Sequence, residues 1–247
     1  MANNPDHAPG AYGERIAADY DELHAHLDPG DAVEALARLA GGGRVLELGI
    51  GTGRIALPLA ARGVEVHGID ASGAMVAELR AKPGGDAIPV TLGDFADARV
   101  DGEFDLVFVA FNTFFALLTQ EEQLRCVRNV AARLSPRGVF IVEAFVPDMC
   151  RYDEAGHTLR THRVDGERVI VDASTLDRAQ QRITTRLVAL DGRAVTQYPI
   201  EIRYVWPSEL DLMARLAGLR LRERWSDWRG GSFDASSPSH VSVYERT

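Results

Sequence analysis

The sequence predicts an α/β protein built on a doubly wound, mostly parallel seven-stranded sheet, with a small antiparallel β insert after the fifth strand. Three observations predict it. Short apolar runs alternate with helical patterns between Arg44 and Phe145, as consecutive βα units do. The run Val45–Leu48 breaks into Gly49, Gly51 and Gly53 before helical spacing resumes at Ile55, Leu57 and Leu59, which reads as a strand, a tight turn and a helix. After Pro147 the texture changes to long alternating runs parted by Asp165-Gly166, Ala179-Gln180 and Asp191-Gly192. Asp-Gly between alternating runs is a hairpin signal.

Taken in order, Met1 to Gly10 is polar and carries two prolines, so it is expected to fray. Ile16, Tyr20 and Leu23 lie on one helical stripe over Tyr12–Leu27. Asp28-Pro29 reads as an N-cap followed by proline at the first helical position, opening a helix through Val33, Leu36 and Leu39 that stops at Gly41-Gly42-Gly43. Strand 1 is Val45–Leu48, a helix spans Ile55–Ala61, and strand 2, Val64–Ile69, ends in Asp70. A helix from Ser72 to Arg80 leads through the turn Lys82-Pro83-Gly84-Gly85 to strand 3, Ile88–Leu92, which closes on Gly93-Asp94-Phe95. Strand 4, Phe104–Ala110, is an almost unbroken apolar run, as expected when both faces of a parallel sheet are covered. Thr119-Gln-Glu-Glu122 forms a capping box for a helix through Leu124, Val127, Val130 and Leu134. Pro136-Arg137-Gly138 ends that helix before strand 5, Val139–Phe145.

The insert contributes strands at Thr158–Val164, Arg168–Arg178, Arg182–Leu190 and Ala194–Val205. Pro207-Ser208-Glu209 opens a last helix, ended by Gly218, and Leu219–Trp225 and Val241–Tyr244 are the final strands. These elements divide the chain into an N-terminal helical lid (1–43), a core (44–147 and 206–247) and the insert (148–205), all within one globular domain.

In a parallel sheet with right-handed crossovers, ligands bind beyond the carboxyl ends of the strands, near the switch in strand order. Gly49–Gly53, Asp70, Asp94 and Ala110–Asn112 all fall just past strand ends, so they converge on one crevice. Asp70 follows the glycines by about 20 residues, where a carboxylate accepts hydrogen bonds from both hydroxyls of a ribose. The ligand is thus expected to be a nucleoside derivative. Glu47 narrows the choice, because a carboxylate beneath the loop repels a pyrophosphate but favours a cation. The spacing is also G-x-G-x-G, without the extra residue before the third glycine of the dinucleotide fingerprint. S-adenosylmethionine has no phosphate and carries an ammonium and a sulfonium.

Glu47, the glycine triplet, Asp70 and Gly93-Asp94-Phe95, in this order, make the stretch from Tyr20 to Phe145 resemble the Rossmann-like core of class I S-adenosylmethionine-dependent methyltransferases. The resemblance implies that Glu47, Gly49, Gly51 and Gly53 hold the methionine portion and Asp70 the ribose. It implies further that Ala71 and Met75 lie along the ribose edge and adenine face, with Asp94 on the adenine amino group and the Phe95 main chain beside it. By the same resemblance, Ala110 and Phe111 lie under the sulfonium and Tyr20 belongs to a lid. The insert is similar in layout to the extension of sugar N-methyltransferases and related natural-product enzymes. The implied activity is methyl transfer to an amine or hydroxyl of a small molecule. A nicotinamide-dinucleotide-dependent oxidoreductase and a non-catalytic S-adenosylmethionine-binding protein are the alternatives.

Tyr12, Asn112, Phe115 and His157 are candidate substrate contacts; Phe111, Phe114 and Phe115 equally suit a core, and His157 and His162 suit the surface more readily than a base. Methyl transfer from a sulfonium is an in-line displacement in which the enzyme aligns the acceptor and excludes water. No clear general base stands out. Ala110-Phe111-Asn112-Thr113 lacks the Asn-Pro-Pro-aromatic motif that the resemblance would associate with amino groups of nucleobases.

Composition sets the outer limits. The formal net charge is -9 over 247 residues, which gives no basic field for nucleic acid. Cys126 and Cys150 are the only cysteines, too few for a disulfide framework or a zinc site, so no metal and a reducing cytoplasm are expected. No apolar run approaches the ~20 residues of a membrane helix, and the N-terminus with Asp6 and Glu14 lacks a signal-peptide layout. A soluble, unprocessed protein is therefore expected, with a free insert edge through which two copies could pair as a homodimer.

Overall fold

The structure is a computed structural model that describes residues 9–97 and 100–247. The expectation that the first ten residues fray therefore falls largely outside the described residues. Two helices, α1 (Ala11–Leu23) and α2 (Gly30–Ala40), precede the alternating series β1 (Val45–Leu48), α3 (Ala56–Ala61), β2 (Val66–Asp70), α4 (Gly73–Arg80) and β3 (Val90–Leu92). The series continues with β4 (Phe104–Val109), α5 (Gln120–Arg133) and β5 (Leu134–Phe145). Four long strands follow: β6 (His157–Asp165), β7 (Arg168–Asp177), β8 (Arg182–Asp191) and β9 (Ala194–Arg203). The last elements are α6 (Pro207–Leu216), β10 (Leu219–Trp225) and β11 (Ser239–Arg246).

The main sheet has seven strands in the order β10-β11-β5-β4-β1-β2-β3. Strands β1 to β5 run parallel, and β11 returns antiparallel between β5 and β10. The order reverses between β1 and β4, which places the crevice of a doubly wound fold above those two strands. Both are sealed in the core: Val45, Leu46, Leu48, Leu106, Val107, Phe108 and Val109 have no exposed surface. Helices α2 and α3 pack on one face and α5 and α6 on the other.

Strands β6 to β9 form a separate antiparallel meander. Side chains alternate along a strand, and one face of this sheet turns inward. At one end of that face Ile170, Leu187, Ala189 and Tyr198 pack on Ile16, Ala17 and Leu23 of α1. At the other end Leu176, Ile183 and Ile202 join the main core. The meander is pinned to the core by Arg203, which donates to Glu209 (2.8 Å), Gln181 (2.9 Å) and Gln123 (2.5 Å).

The local signals hold with three revisions besides the starts of β2 and β3, which fall two residues later than Val64 and Ile88. The capping box at Thr119 and Glu122 is present with both reciprocal bonds. Helix α1 ends at Leu23 and not Leu27, because His24 leaves helical geometry at φ -109, ψ 12. Pro29, not Asp28, is the N-cap of α2, and the Asp28 carboxylate instead accepts the Gly30 N–H at 2.9 Å. Pro136-Arg137-Gly138 lies inside β5 as an irregularity and does not separate helix from strand. Phe104 pairs with Leu134 and Leu106 already with Val139, so the extra residues bulge out of the ladder.

Candidate active site

The turn after β1 is built by glycine. Gly49, Gly51 and Gly53 have φ of 74, 54 and 82, a region that costs residues with a Cβ. A Cβ on Gly49 would lie 2.5 Å from the Thr113 methyl and one on Gly53 2.3 Å from Leu79, whereas one on Gly51 would enter open space. Gly49 and Gly53 are thus needed for packing, and Gly51 leaves the backbone open to a ligand. The loop is tied to β2 by the Gly49 and Ile50 N–H groups, which donate to the Ile69 carbonyl.

The Asp70 carboxylate holds the same loop from the end of β2, accepting from the Gly51 N–H at 2.7 Å and the Ser72 N–H at 2.8 Å. It does not cap α4; that role belongs to Ser72, whose hydroxyl accepts the Met75 N–H. Burial raises the Asp70 pKa against the lowering effect of these N–H donors. Each oxygen still has a lone pair for a ligand hydroxyl.

Glu47 is only 5% exposed, and its Oε2 has no hydrogen-bond partner among the described residues. Burial pushes its pKa well above the carboxylate range, a shift that nearby Arg54 opposes and Asp70 reinforces. A buried acid in this state calls for a cation or donor that the chain does not itself supply. It lines a cleft with Tyr20, Gly49, Gly51, Arg54, Ala110 and Phe111. A buried carboxylate with one oxygen unpaired, beside an open glycine, fits the ammonium end of S-adenosylmethionine and opposes a pyrophosphate.

Ala71, Asp94 and Phe95 line a neighbouring cleft that Tyr12, Leu117, Pro199 and Glu201 enclose from the other side. Asp94 turns its Oδ1 to the Ala96 N–H at 2.8 Å. Met75 lies beneath, 5% exposed, packed against α1.

The segment after β4 takes a form the sequence did not announce. Phe111 and Asn112 both have positive φ, 53 and 64. Glu143 of β5 holds them there: its Oε2 accepts the Phe111 N–H at 2.7 Å and its carbonyl the Asn112 N–H at 3.2 Å. The Asn112 side-chain oxygen in turn accepts the Phe145 N–H at 2.7 Å, so one end of this candidate substrate contact is spent on the backbone. Phe111 faces the cleft under Arg54, 5.1 Å from its ring centre.

Helix α1 closes over the turn by two polar contacts. Glu14 accepts from the Ser72 hydroxyl at 2.9 Å and the Ala74 N–H at 3.1 Å. Asp21 accepts from the Thr52 hydroxyl at 2.6 Å and pairs with Lys82 at 2.5 Å. Tyr20 of this helix stacks on His24 at 4.3 Å, and His24 meets Phe111 edge-on at 5.4 Å. The His24 Nδ1 lies 2.9 Å from the Tyr20 carbonyl. A carbonyl only accepts, so Nδ1 carries the proton and Nε2 the lone pair. Burial lowers the His24 pKa and raises those of Tyr12 and Tyr20, keeping all three rings neutral near pH 7.

Two predicted contacts lie away from this crevice. Phe115 has no exposed surface and packs edge-on against Phe145 at 5.0 Å, within the core. His157 is exposed at the start of β6. Sequence reading missed Glu14, His24, Thr52, Lys82 and Glu143. His24 alone had a local signal, its spacing of four from Tyr20 on one helical face; the others act across long separations. No cluster of metal-ligand side chains occurs among the described residues.

Similarity to known proteins follows the same ground. The methyltransferase-domain family matches residues 45–138. Over 243 residues, 96% of this chain and 98% of the relative, the sequence is 30% identical to the cypemycin N-terminal methyltransferase of a Streptomyces species. It is 26% identical over 198 residues to the dTDP-4-amino-2,3,4,6-tetradeoxy-D-glucose N,N-dimethyltransferase of Saccharopolyspora spinosa, covering 76% of this chain and 77% of that one. The solved structure of the CcbJ methyltransferase from Streptomyces caelestis is 40% identical and superposes with a TM-score of 0.88, covering 96% of this chain and 98% of that one. Neither alternative, a dinucleotide-dependent oxidoreductase or a non-catalytic binding protein, draws support from these matches.

Proposed function

The chain belongs to the S-adenosylmethionine-dependent methyltransferases, and from that premise we propose that it methylates an amine nitrogen of a small molecule. The observation that carries the reading is the buried Glu47 carboxylate, whose Oε2 has no hydrogen-bond partner among the described residues, in one cleft with Gly51. It suits a cationic methionine tail, and the relatives named above are methyltransferases of an N-terminus and of an amino sugar.

S-adenosylmethionine, when bound, supplies a methyl group on a positively charged sulfur. In this reading Glu47 and the glycine turn bind the methionine portion, and Asp70 the ribose. Ala71, Met75, Asp94 and Phe95 bind the adenine end. Tyr20, Ala110 and Phe111 wall the reacting end, where they exclude water and orient the acceptor. Tyr12 borders the neighbouring cleft. His24 holds a lone pair at Nε2 that takes the proton an alkylated amine must lose. The division into lid, core and insert belongs to this proposal, as α1 must part from the turn at Ser72 and Thr52 for ligands to pass.

The test is transfer of isotopically labelled methyl to a panel of amines and their matched alcohols. Label is expected in amines; label confined to alcohols would overturn the nitrogen assignment. Two further readings follow. Work in a reducing cytoplasm accords with free Cys126 and Cys150 and with no described helix being long and apolar enough to cross a membrane. Pairing of two copies accords with β6 being a sheet edge that exposes Leu159 and Val164. Sedimentation at micromolar concentration is expected to show a dimer, and a monomer there would refute it.

A further inference from the structure

The chain leaves β4 in a conformation that its own residues resist. Strands β4 and β5 run in parallel register, Phe108 with Ile141 and Val109 with Val142, and one step further the ladder breaks. Phe111 and Asn112 both turn to positive φ, 53 and 64. Asn takes that region readily, whereas for a bulky residue such as Phe it is an outlier. Backbone strain of this kind persists only where its surroundings over-determine it, and it clusters at functional sites.

Strand β5 does the holding. The Asn112 and Thr113 N–H groups donate to main-chain carbonyls, those of Glu143 and Ala110. The Phe111 N–H has left the ladder and donates to a side chain, the Glu143 Oε2, at 2.7 Å. Hydrogen bonds to an ionised acceptor are among the stronger ones in proteins. The turn is also pressed from the other side, where the Thr113 methyl lies so near that a Cβ on Gly49 would stand 2.5 Å from it. It is thus wedged between the glycine loop and β5, and Glu143 supplies the bond that belongs to Phe111 itself.

The sign of φ at Phe111 decides where the ring points, because reversing it redirects the Cα–Cβ bond. As held, Phe111 lines the cleft with Tyr20, Glu47 and Gly51. Its ring centre lies 5.1 Å from the Arg54 guanidinium and meets the His24 ring edge-on at 5.4 Å. An extended backbone at Phe111 would carry the ring away from both. Glu143 does not itself line the cleft, so it acts through Phe111. We propose that Glu143 is a positioning residue for methyl transfer: its carboxylate keeps the Phe111 turn left-handed and the ring against the reacting end of the cleft. The inference rests on the place given to Phe111 above and adds the residue that fixes it there.

Two variants separate reach from charge. Glu143→Gln keeps an oxygen at the same reach and loses the charge, whereas Glu143→Asp keeps the charge and, one methylene shorter, loses the reach. In the ligand-free protein, hydrogen exchange at the Phe111 amide is expected to quicken about tenfold or more in Glu143→Asp and to change less than about threefold in Glu143→Gln. With the amine labelled in the panel above, kcat is expected to fall by about ten- to a hundredfold in Glu143→Asp, since misplaced groups cost rate steeply. The cofactor KM in that variant should stay within about threefold, because the ring orients the reaction more than it binds. Glu143→Gln is expected to stay within about threefold in both constants, as a neutral oxygen still accepts the N–H. Phe111→Ala should lose as much as Glu143→Asp, and the double variant no more than either, because residues acting as one unit are not additive.

Unchanged exchange at Phe111 in Glu143→Asp would overturn the proposal. So would a loss of kcat in Glu143→Gln as large as in Glu143→Asp, which would make charge and not reach the property that matters. An unaltered kcat in Phe111→Ala would refute the place given to Phe111. A slow Phe111→Ala beside an unaltered Glu143→Asp would refute the positioning role alone.

Discussion

Glu47 sets the residue scale, because one buried carboxylate joins the proposed binding role to stability. Its pKa lies well above the reference 4.5 in the folded chain, so the folded state retains a proton the unfolded chain releases. Stability contributed by that protonated form is present below about pH 4.5 and is lost as pH rises through the folded pKa. Glu47→Gln is therefore expected to raise the melting temperature of the ligand-free protein at pH 7.5, by about 2–4 °C for each kcal/mol recovered. The same variant should bind S-adenosylmethionine at least tenfold more weakly, since an amide cannot pair with the ammonium. Differential scanning fluorimetry and calorimetry read the two effects, and unchanged cofactor affinity would remove Glu47 from the site. Asp70→Ala is expected to weaken cofactor binding by about 1–3 kcal/mol through lost charged hydrogen bonds. It also frees the Gly51 N–H, so slower exchange at that amide would argue against the contact described. The places of Glu47 and Asp70 at the ends of β1 and β2 were legible in the sequence; Glu143 was not, because its partners lie across a neighbouring strand, and His24 showed only in its spacing of four from Tyr20.

At the scale of elements, α1 and β11 behave differently. Helix α1 is latched at its start by Glu14 on Ser72 and near its end by Asp21 on Thr52 and Lys82. Such contacts at partly exposed sites are individually weak, which accords with the lid role proposed above. Asp21→Ala is expected to speed hydrogen exchange in α1 and to weaken cofactor binding by about three- to tenfold. Exchange unchanged in α1 would show that the latch carries no closure. Strand β11 holds His240, which has no exposed surface and whose Nδ1 meets Ser242 at 2.8 Å. Burial, aided by Arg224, lowers its pKa from 6.5 to about 4. A depressed histidine contributes stability that is full above pH 6.5 and lost as pH falls toward 4, on the order of 3 kcal/mol. Urea unfolding at pH 7 and pH 5 should show about 2 kcal/mol of this loss, reduced in His240→Leu.

Across the whole molecule, the junction between the two sheets rests on Arg203, whose side chain is 7% exposed, against Glu209 at 17%. Burial disfavours the Glu209 carboxylate, but hydrogen bonds from Gln181, Arg203 and Gln120 prevail and lower its pKa. Arg203→Ala leaves that charge uncompensated and is expected to cost about 3–5 kcal/mol. Because the same residue joins β9 to α5 and α6, the two sheets are expected to unfold in one transition. A separate early transition of the meander in the variant, absent from the unaltered protein, would show that Arg203 alone couples them.

The sequence by itself determined the βα alternation, the glycine turn, the carboxylates at the ends of β1 and β2, and the existence of the meander. Each is written in a local period or a short spacing, which backbone geometry converts directly into structure. It misplaced the end of α1, where His24 turns out of the helix, and the bulge in β5, where pairing with β4 overrides local preference. Only the tertiary structure decided that Phe111 and Asn112 take positive φ, and that Phe115 is core and His157 surface. Those facts depend on contacts between residues far apart in the chain, and no local pattern encodes them.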